Sequence, residues 1–277
     1  AGAWSLEAKL LPSDGVDGDG FGTSVDVEGD RILVGAPGRE MIGVGNDVGA
    51  AYVFQRSGTV WTEEIQLLAS DPGARNTFGA SVAIGGQTAN EDADLRVIVG
   101  APQDSDVVPY GGSAYVFELL SGVWSEEVKL TDANAGENDM FGSAVDMFGT
   151  MVLVGSPGDD EFVPDGGSIF VFEESNRTWP LTQYKYGVAP TNPTRLLGSS
   201  VAVGHDVLAG APLEEGLGVT DAGEIYVWTP EENWEGNVGV ANDPADSAHL
   251  GTSGAPSGCW MVTGADRDDG LGPNSGA

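Results

Sequence analysis

Cysteine, histidine and basic residues are all scarce in this sequence of 277 residues, and each scarcity closes off a chemistry. The one cysteine, Cys259, precludes an internal disulfide and any cysteine-rich metal site. It stands in "GCWMVTG", where a small core residue within a strand is expected. Only two histidines occur, His205 in an expected tight turn and His249 just before a degenerate "LG". No nucleophile elbow, phosphate loop, zinc pattern or dinucleotide fingerprint is present. Acid pairs abound, yet none is set apart as a glycosidase pair would be. The sequence therefore reads as non-enzymatic.

Eleven Lys and Arg stand against forty-three Asp and Glu, a formal net charge of −32. That excludes nucleic acid, whose phosphates need a basic surface, and disfavours anionic membranes. Screening relieves such self-repulsion, so salty or cation-rich surroundings suit the chain; solubility alone is the plainer reason for the acids. No apolar run approaches the length of a membrane span, and no direct membrane insertion is expected. No segment of ten or more residues carries a helical stripe. The chain starts without Met and shows no signal peptide, so it is expected to be a processed mature chain or an excerpt of a longer one.

What is abundant is repetition. "FGTSVDVEGDRILVGAP" runs from Phe21 to Pro37, and related segments begin at Phe78, Phe141 and Leu197, with a worn copy at Leu250. The starts lie 57, 63, 56 and 53 residues apart, a period near the upper end of propeller-type arrays. A second signature follows the first four copies: "GAAYVF" at Gly49, "GSAYVF" at Gly112, "GSIFVF" at Gly167 and "GEIYVW" at Gly223. Eight or nine residues after its first aromatic comes a tryptophan: Trp61, Trp124, Trp179 and Trp234. Trp4 heads "WSLEAKLLPSD", which matches "WTEEIQLLASD" and "WSEEVKLTDAN".

Within a repeat the apolar period is two, and "SVDV", "RILVGA", "AAYVFQR" and "WTEEIQLL" each read as a strand. Forty-three glycines and fifteen prolines supply the turns. Four strands per repeat make a small antiparallel sheet, and such sheets repeated radially give an all-β propeller spanning 1–277 as one domain. The Phe-Gly ring is expected to wedge between neighbouring sheets, and the Gly-Ala-Pro end to permit close backbone approach before proline stops the ladder. The tryptophans, one per blade, are expected to pack between blades. Counting strands gives one outer strand at Trp4, four complete blades and two further strands through Gly264. The chain stops where a "GSAYVF" strand would begin, so a longer array of more than five blades is expected.

The Phe-Gly start and Gly-Ala-Pro finish resemble the FG-GAP repeats of the integrin α-subunit propeller, and more closely the short FG-GAP repeats of bacterial and algal surface proteins. The resemblance covers nearly the whole chain. It implies a propeller, seven-bladed in integrins, that acts outside the cell in adhesion and ligand recognition. It also implies calcium loops patterned Asp-x-Asp-x-Asp-Gly-x-x-Asp between the two strands, but here that connection is only "EGD" at Glu28, "FGT" at Phe148 and "GHD" at Gly204. Only "GGQTANEDADLR" is long enough, with Asn90, Asp92 and Asp94 as oxygen donors. Arg96 falls where the family's last Asp belongs, and Ala93 where its Gly belongs.

The acids gather instead in second-to-third turns and blade-to-blade connections, which share the opposite face of an antiparallel blade. Asp14, Asp17 and Asp19 lie there, as do Asp104 and Asp106, and Asp132, Asn134, Glu137 and Asp139. Asp159, Asp160, Glu161 and Asp165, and then Asp266, Asp268 and Asp269, complete the set. Closely spaced carboxylates on glycine-rich chain are what a hard cation such as Ca2+ requires, although no loop matches an EF-hand and Asp and Gly are also good turn residues. "NRT" at Asn176 is the one glycosylation sequon. Two functional expectations follow. One is an extracellular or cell-surface recognition module that binds a protein or glycan through the acidic face, with or without a cation. The other is a structural subunit that contacts neighbouring subunits of a larger assembly.

Overall fold

Each Phe-Gly copy opens a β-meander. The computed structural model describes residues 5–86, 95–162, 164, 166–186, 196–204, 206–213, 223–229, 235–239, 250–257 and 260–265. The first sheet comprises β1 (Val25–Glu28), β2 (Arg31–Ala36), β3 (Ala50–Ser57) and β4 (Val60–Leu67). The second holds β5 (Ser81–Gly86), β6 (Leu95–Ala101), β7 (Ser113–Leu120) and β8 (Val123–Leu130). The third holds β9 (Ala144–Phe148), β10 (Met151–Ser156), β11 (Ser168–Glu173) and β12 (Leu181–Tyr186). The fourth holds β13 (Ser200–Val203), β14 (Val207–Ala211), β15 (Glu224–Thr229) and β16 (Glu235–Gly239). A fifth pairs β17 (Leu250–Ser257) with β18 (Trp260–Ala265). Every sheet is antiparallel and ordered as in sequence. Their first strands stand side by side, β1 on β5, β5 on β9, β9 on β13 and β13 on β17.

The two signature motifs meet between sheets. Gly79 follows Phe78 at φ +94°, a conformation open to glycine, and its carbonyl oxygen lies 2.0 Å from where a Cβ on Gly35 would sit. The same contact joins Gly100 to Gly142 and Gly155 to Gly198. The Gly of Gly-Ala-Pro in one blade is thus the seat for the Phe-Gly turn of the next. Each ring beside that turn is buried edge-on against two aromatics, Phe78 against Tyr115 and Phe117, and Phe141 against Phe170 and Phe172. Such pairs contribute about 0.5–1.5 kcal/mol beyond the area they bury.

The cores lie between sheets rather than within them. Leu33, Val53 and Leu67 of the first sheet pack with Phe78, Val82 and Trp124 of the second. Ile98, Val116 and Leu130 pack with Phe141, Val145 and Trp179. Trp124 and Trp179 are buried between blades, as their spacing predicts. Trp61 is only half-buried, because the first sheet has its outward face open. Val25 and Val27 are 64% and 59% exposed, whereas Val82 and Ile84 at the same repeat positions are 8% and 4% exposed.

One expected strand is absent. Residues 5–12 form no strand, and Trp4 and Cys259 lie outside the described residues. The segment still occupies a neighbouring blade's place. Trp61 Nε1 donates to Glu7 at 3.1 Å, as Trp124 Nε1 donates to Glu64 at 3.2 Å.

A bulge recurs where β3 pairs β4, β7 pairs β8 and β11 pairs β12, with Glu64, Glu127 and Thr182 as the extra residues. Arg31 pairs with Glu64 and Arg96 with Glu127, each at 2.9 Å, and where the extra residue is Thr182 the position of the arginine is taken by Met151. Past the bulge, residues five apart such as Trp124 and Lys129 return to one face of the strand.

Candidate binding face

In the first three sheets the loop after the second strand is laced to the connection that leads into the next sheet. Arg75 and Thr77 donate backbone N–H groups to Asn46 and Asp47, each at 2.9 Å. Asn138 and Met140 donate likewise to Pro109 and Tyr110, each at 3.0 Å. Asp47, Arg75, Thr77, Tyr110, Asn138 and Met140 all adopt positive φ to make these bonds. Those of the expected acids that are described sit in these loops and connections, at three successive junctions that differ in the basic side chain they hold.

At the first junction, Asp14 accepts Tyr52 OH at 2.9 Å, Arg39 Nη2 at 2.5 Å and Gln66 Nε2 at 3.2 Å. Burial alone would raise the Asp14 carboxyl, but the bonds from Tyr52 and Arg39 outweigh it and hold the group below its ordinary value. Burial, then the bond to Asp14, pushes the Tyr52 hydroxyl up to about 12. At the second junction Lys129, the cross-strand partner of Tyr115, reaches three carboxylates: Asp71 at 2.7 Å and Asp104 and Asp106 at 2.8 Å. Burial opposes the Lys129 charge, and the three carboxylates overcome it and raise the group.

At the third junction Tyr184 occupies the register position of Lys129, opposite Phe170. Its hydroxyl donates to Asp159 at 2.6 Å. Asp132, Asp139 and Asp159 are buried here beside exposed Asp160 and Glu161, and among the described residues none of the five is ion-paired. Asn134 Nδ2 donates to Glu161 at 3.3 Å. Burial pushes the Asp139 carboxyl up to about 6, helped by Asp159, Asp160 and Asp132. Asp132 is raised by burial and by Asp159 and Glu161.

Asp139 Oδ2 accepts the N–H of Gly136 at 2.6 Å, while Oδ1 is buried without a partner. Asp19 Oδ1 and Asn76 Nδ2, two residues before their own Phe-Gly, are orphaned in the same way. The orphan atom therefore belongs to the turn; peculiar to the third junction is a carboxylate oxygen among four further acids. Among the described residues no set of three acids is already arranged to hold a metal ion.

The remaining expected residues divide. Asp17 is exposed, and Asp19 is buried with Oδ2 accepting the N–H of Val16 at 2.8 Å. Asn176 is exposed in the turn between β11 and β12. Asp165, Asp266, Asp268, Asp269, Asn90, Asp92 and Asp94 lie outside the described residues, as do both histidines. Arg96, at the family's last calcium position, is bound to Glu127 and Glu118 and stacks over Trp179.

Sequence reasoning missed Asp26 and Asp146. Asp26 Oδ2 accepts the N–H of Ile84 at 2.8 Å, and Asp146 Oδ2 that of Val203 at 2.6 Å, so each ties its first strand to the next blade's. Burial raises both carboxyls, Asp146 to about 6. Their signal was the alternation Asp26, Ala83, Asp146, Ala202 at one repeat position.

Successive four-stranded meanders, joined through a glycine seat and presenting loops on one face, define a propeller-type repeat protein. The family model for the FG-GAP repeat matches residues 4–54, 61–117 and 124–172, and the chain belongs to that family. Comparison with curated proteins finds no match. FG-GAP repeats commonly occur in extracellular and adhesion proteins and are typically non-enzymatic. Among the described residues no helix is long and apolar enough to cross a membrane.

Proposed function

We propose that this protein is a non-enzymatic recognition module of the cell surface or extracellular space. It binds protein or glycan through its acidic loop face, with a divalent cation such as Ca2+ seated at the third junction. The supporting observation is the comparison of junctions. Arg39 pairs with the carboxylate at the first and Lys129 bridges the three at the second. Asp132, Asp139, Asp159, Asp160 and Glu161 gather at the third without a cationic side chain among the described residues, with Tyr184 in the lysine's place. Oxygen donors on pliable chain suit calcium better than a smaller, stricter ion, and loop adjustment would complete the coordination. Melting in chelator, calcium and magnesium at matched ionic strength tests the cation. Calcium is expected to raise the melting temperature most, and Asp159→Asn with Asp160→Asn to abolish that gain. Identical curves would remove the seated cation and leave simple screening.

A second reading, a structural subunit of a larger surface assembly, draws on the open face of the first sheet around Val25 and Val27. Glycan arrays with and without chelator separate the two, since only the recognition module binds in a chelator-sensitive way.

A further inference from the structure

The loop after the second strand carries an exposed apolar residue at the same place in successive blades. Ile42, Val107 and Phe162 each lie seven residues after the glycine of Gly-Ala-Pro or Gly-Ser-Pro, and in sequence Leu217 holds that place in the fourth repeat. Ile42 is fully exposed, Val107 61% and Phe162 53%. Scattered exposed apolar residues are ordinary on any protein surface. Recurrence in register is not, because these loops otherwise share little sequence and no core contact requires the position. An acid precedes each tip by one or two residues: Glu40, Asp106, Glu161 and, in the fourth repeat, Glu215.

The tips are held, not trailing. Met41 and Gly45 exchange backbone bonds of 3.0 Å in both directions, fixing a hairpin with Ile42 at its end. Phe162 stacks on half-exposed Tyr186 with ring centroids 4.2 Å apart and planes 18° apart, beside Glu161. An open aromatic pair next to a carboxylate suits a guanidinium or ammonium group with an apolar stem. The lacing of these loops to the following connections limits the ordering entropy that binding would cost.

We propose that this row of acid-flanked apolar tips is the docking surface for a cationic protein segment bearing apolar residues at intervals, which spans several blades. The inference rests on the recognition reading above and narrows its ligand to protein. Charge complementarity selects the partner: a chain of net charge −32 with acids beside every anchor favours lysine and arginine. Isoleucine and valine tips offer a sugar no hydrogen bonds, whereas they match leucine-like side chains.

The experiment compares two peptides of equal charge, Lys-Lys-Leu repeated four times and Lys-Lys-Ser repeated four times, by fluorescence anisotropy on the whole chain. The leucine peptide is expected to bind at least about tenfold more tightly. The triple variant Ile42→Ser, Val107→Ser, Phe162→Ser, which leaves the core untouched because all three are exposed, is expected to reduce it to the level of the serine peptide. Glu40→Gln with Glu161→Gln is expected to weaken both peptides alike. Equal affinity of the native protein for the two peptides overturns the proposal, as does a preference that survives in the triple variant. Failure of both peptides to bind also overturns it, and a glycan array then decides separately whether the recognition reading stands.

Discussion

Asp139 shows how one carboxyl can record its surroundings. Its folded value near 6 lies above that of an ordinary aspartate, so folding disfavours the charged form. The penalty is absent below about pH 4, grows between pH 4 and 6, and is fully present above. Asp139→Asn keeps an oxygen for the Gly136 N–H, and asparagine already stands at the equivalent position, Asn76. The variant is expected to melt roughly 2–5 °C higher than the native protein at pH 8 in chelator and level with it at pH 4, by calorimetry. The tryptophans make a second comparison. Trp124→Ala is expected to cost about 3–5 kcal/mol in urea unfolding, and Trp61→Ala clearly less, since only Trp124 has a complete blade on both sides. That Trp124 packs inside was legible from its spacing; that Trp61 differs was not, because the difference lies in what stands beside the sheet.

The strands themselves follow from period-two patterning, and all four sheets and the final pair fall where that pattern places them. The junction chemistry did not follow, for a definite reason. Trp124 and Lys129 are five residues apart and would sit on opposite faces of a regular strand, and only the bulge at Glu127 turns both the same way. Without that register, Lys129 reads as one more solvated lysine on an acidic protein. Its position among Asp71, Asp104 and Asp106 yields an expectation at this scale. Lys129→Met leaves three carboxylates facing one another and is expected to lose about 3–5 kcal/mol at pH 7, measured by urea unfolding. A change under 1 kcal/mol would mean that solvent screens the cluster.

For the whole molecule, the acids on the laced loop face were legible as a clustered set, while their division into two junctions that hold a basic side chain and one that holds none among the described residues needed the fold. The net charge of −32 carries a consequence independent of any one site. Raising sodium chloride from 10 to 500 mM shortens the screening length from about 30 Å to under 5 Å and is expected to raise the melting temperature steadily. A flat response would mean that the local pairs around Arg39, Lys129 and Arg96 already balance the repulsion.

The glycine seat has a bearing on how such a chain can change over generations. Gly35, Gly100 and Gly155 receive the next blade through a bare carbonyl, so this part of the fit between neighbours is written in main chain and is shared by these three joints. A stretch from one Phe-Gly to the next is therefore an interchangeable cassette, and copying or removing one leaves matching ends. Side chains at the rim, such as the fourth-strand position that reads Gln66, Lys129 and Tyr184 in successive blades, can drift without loosening that seat.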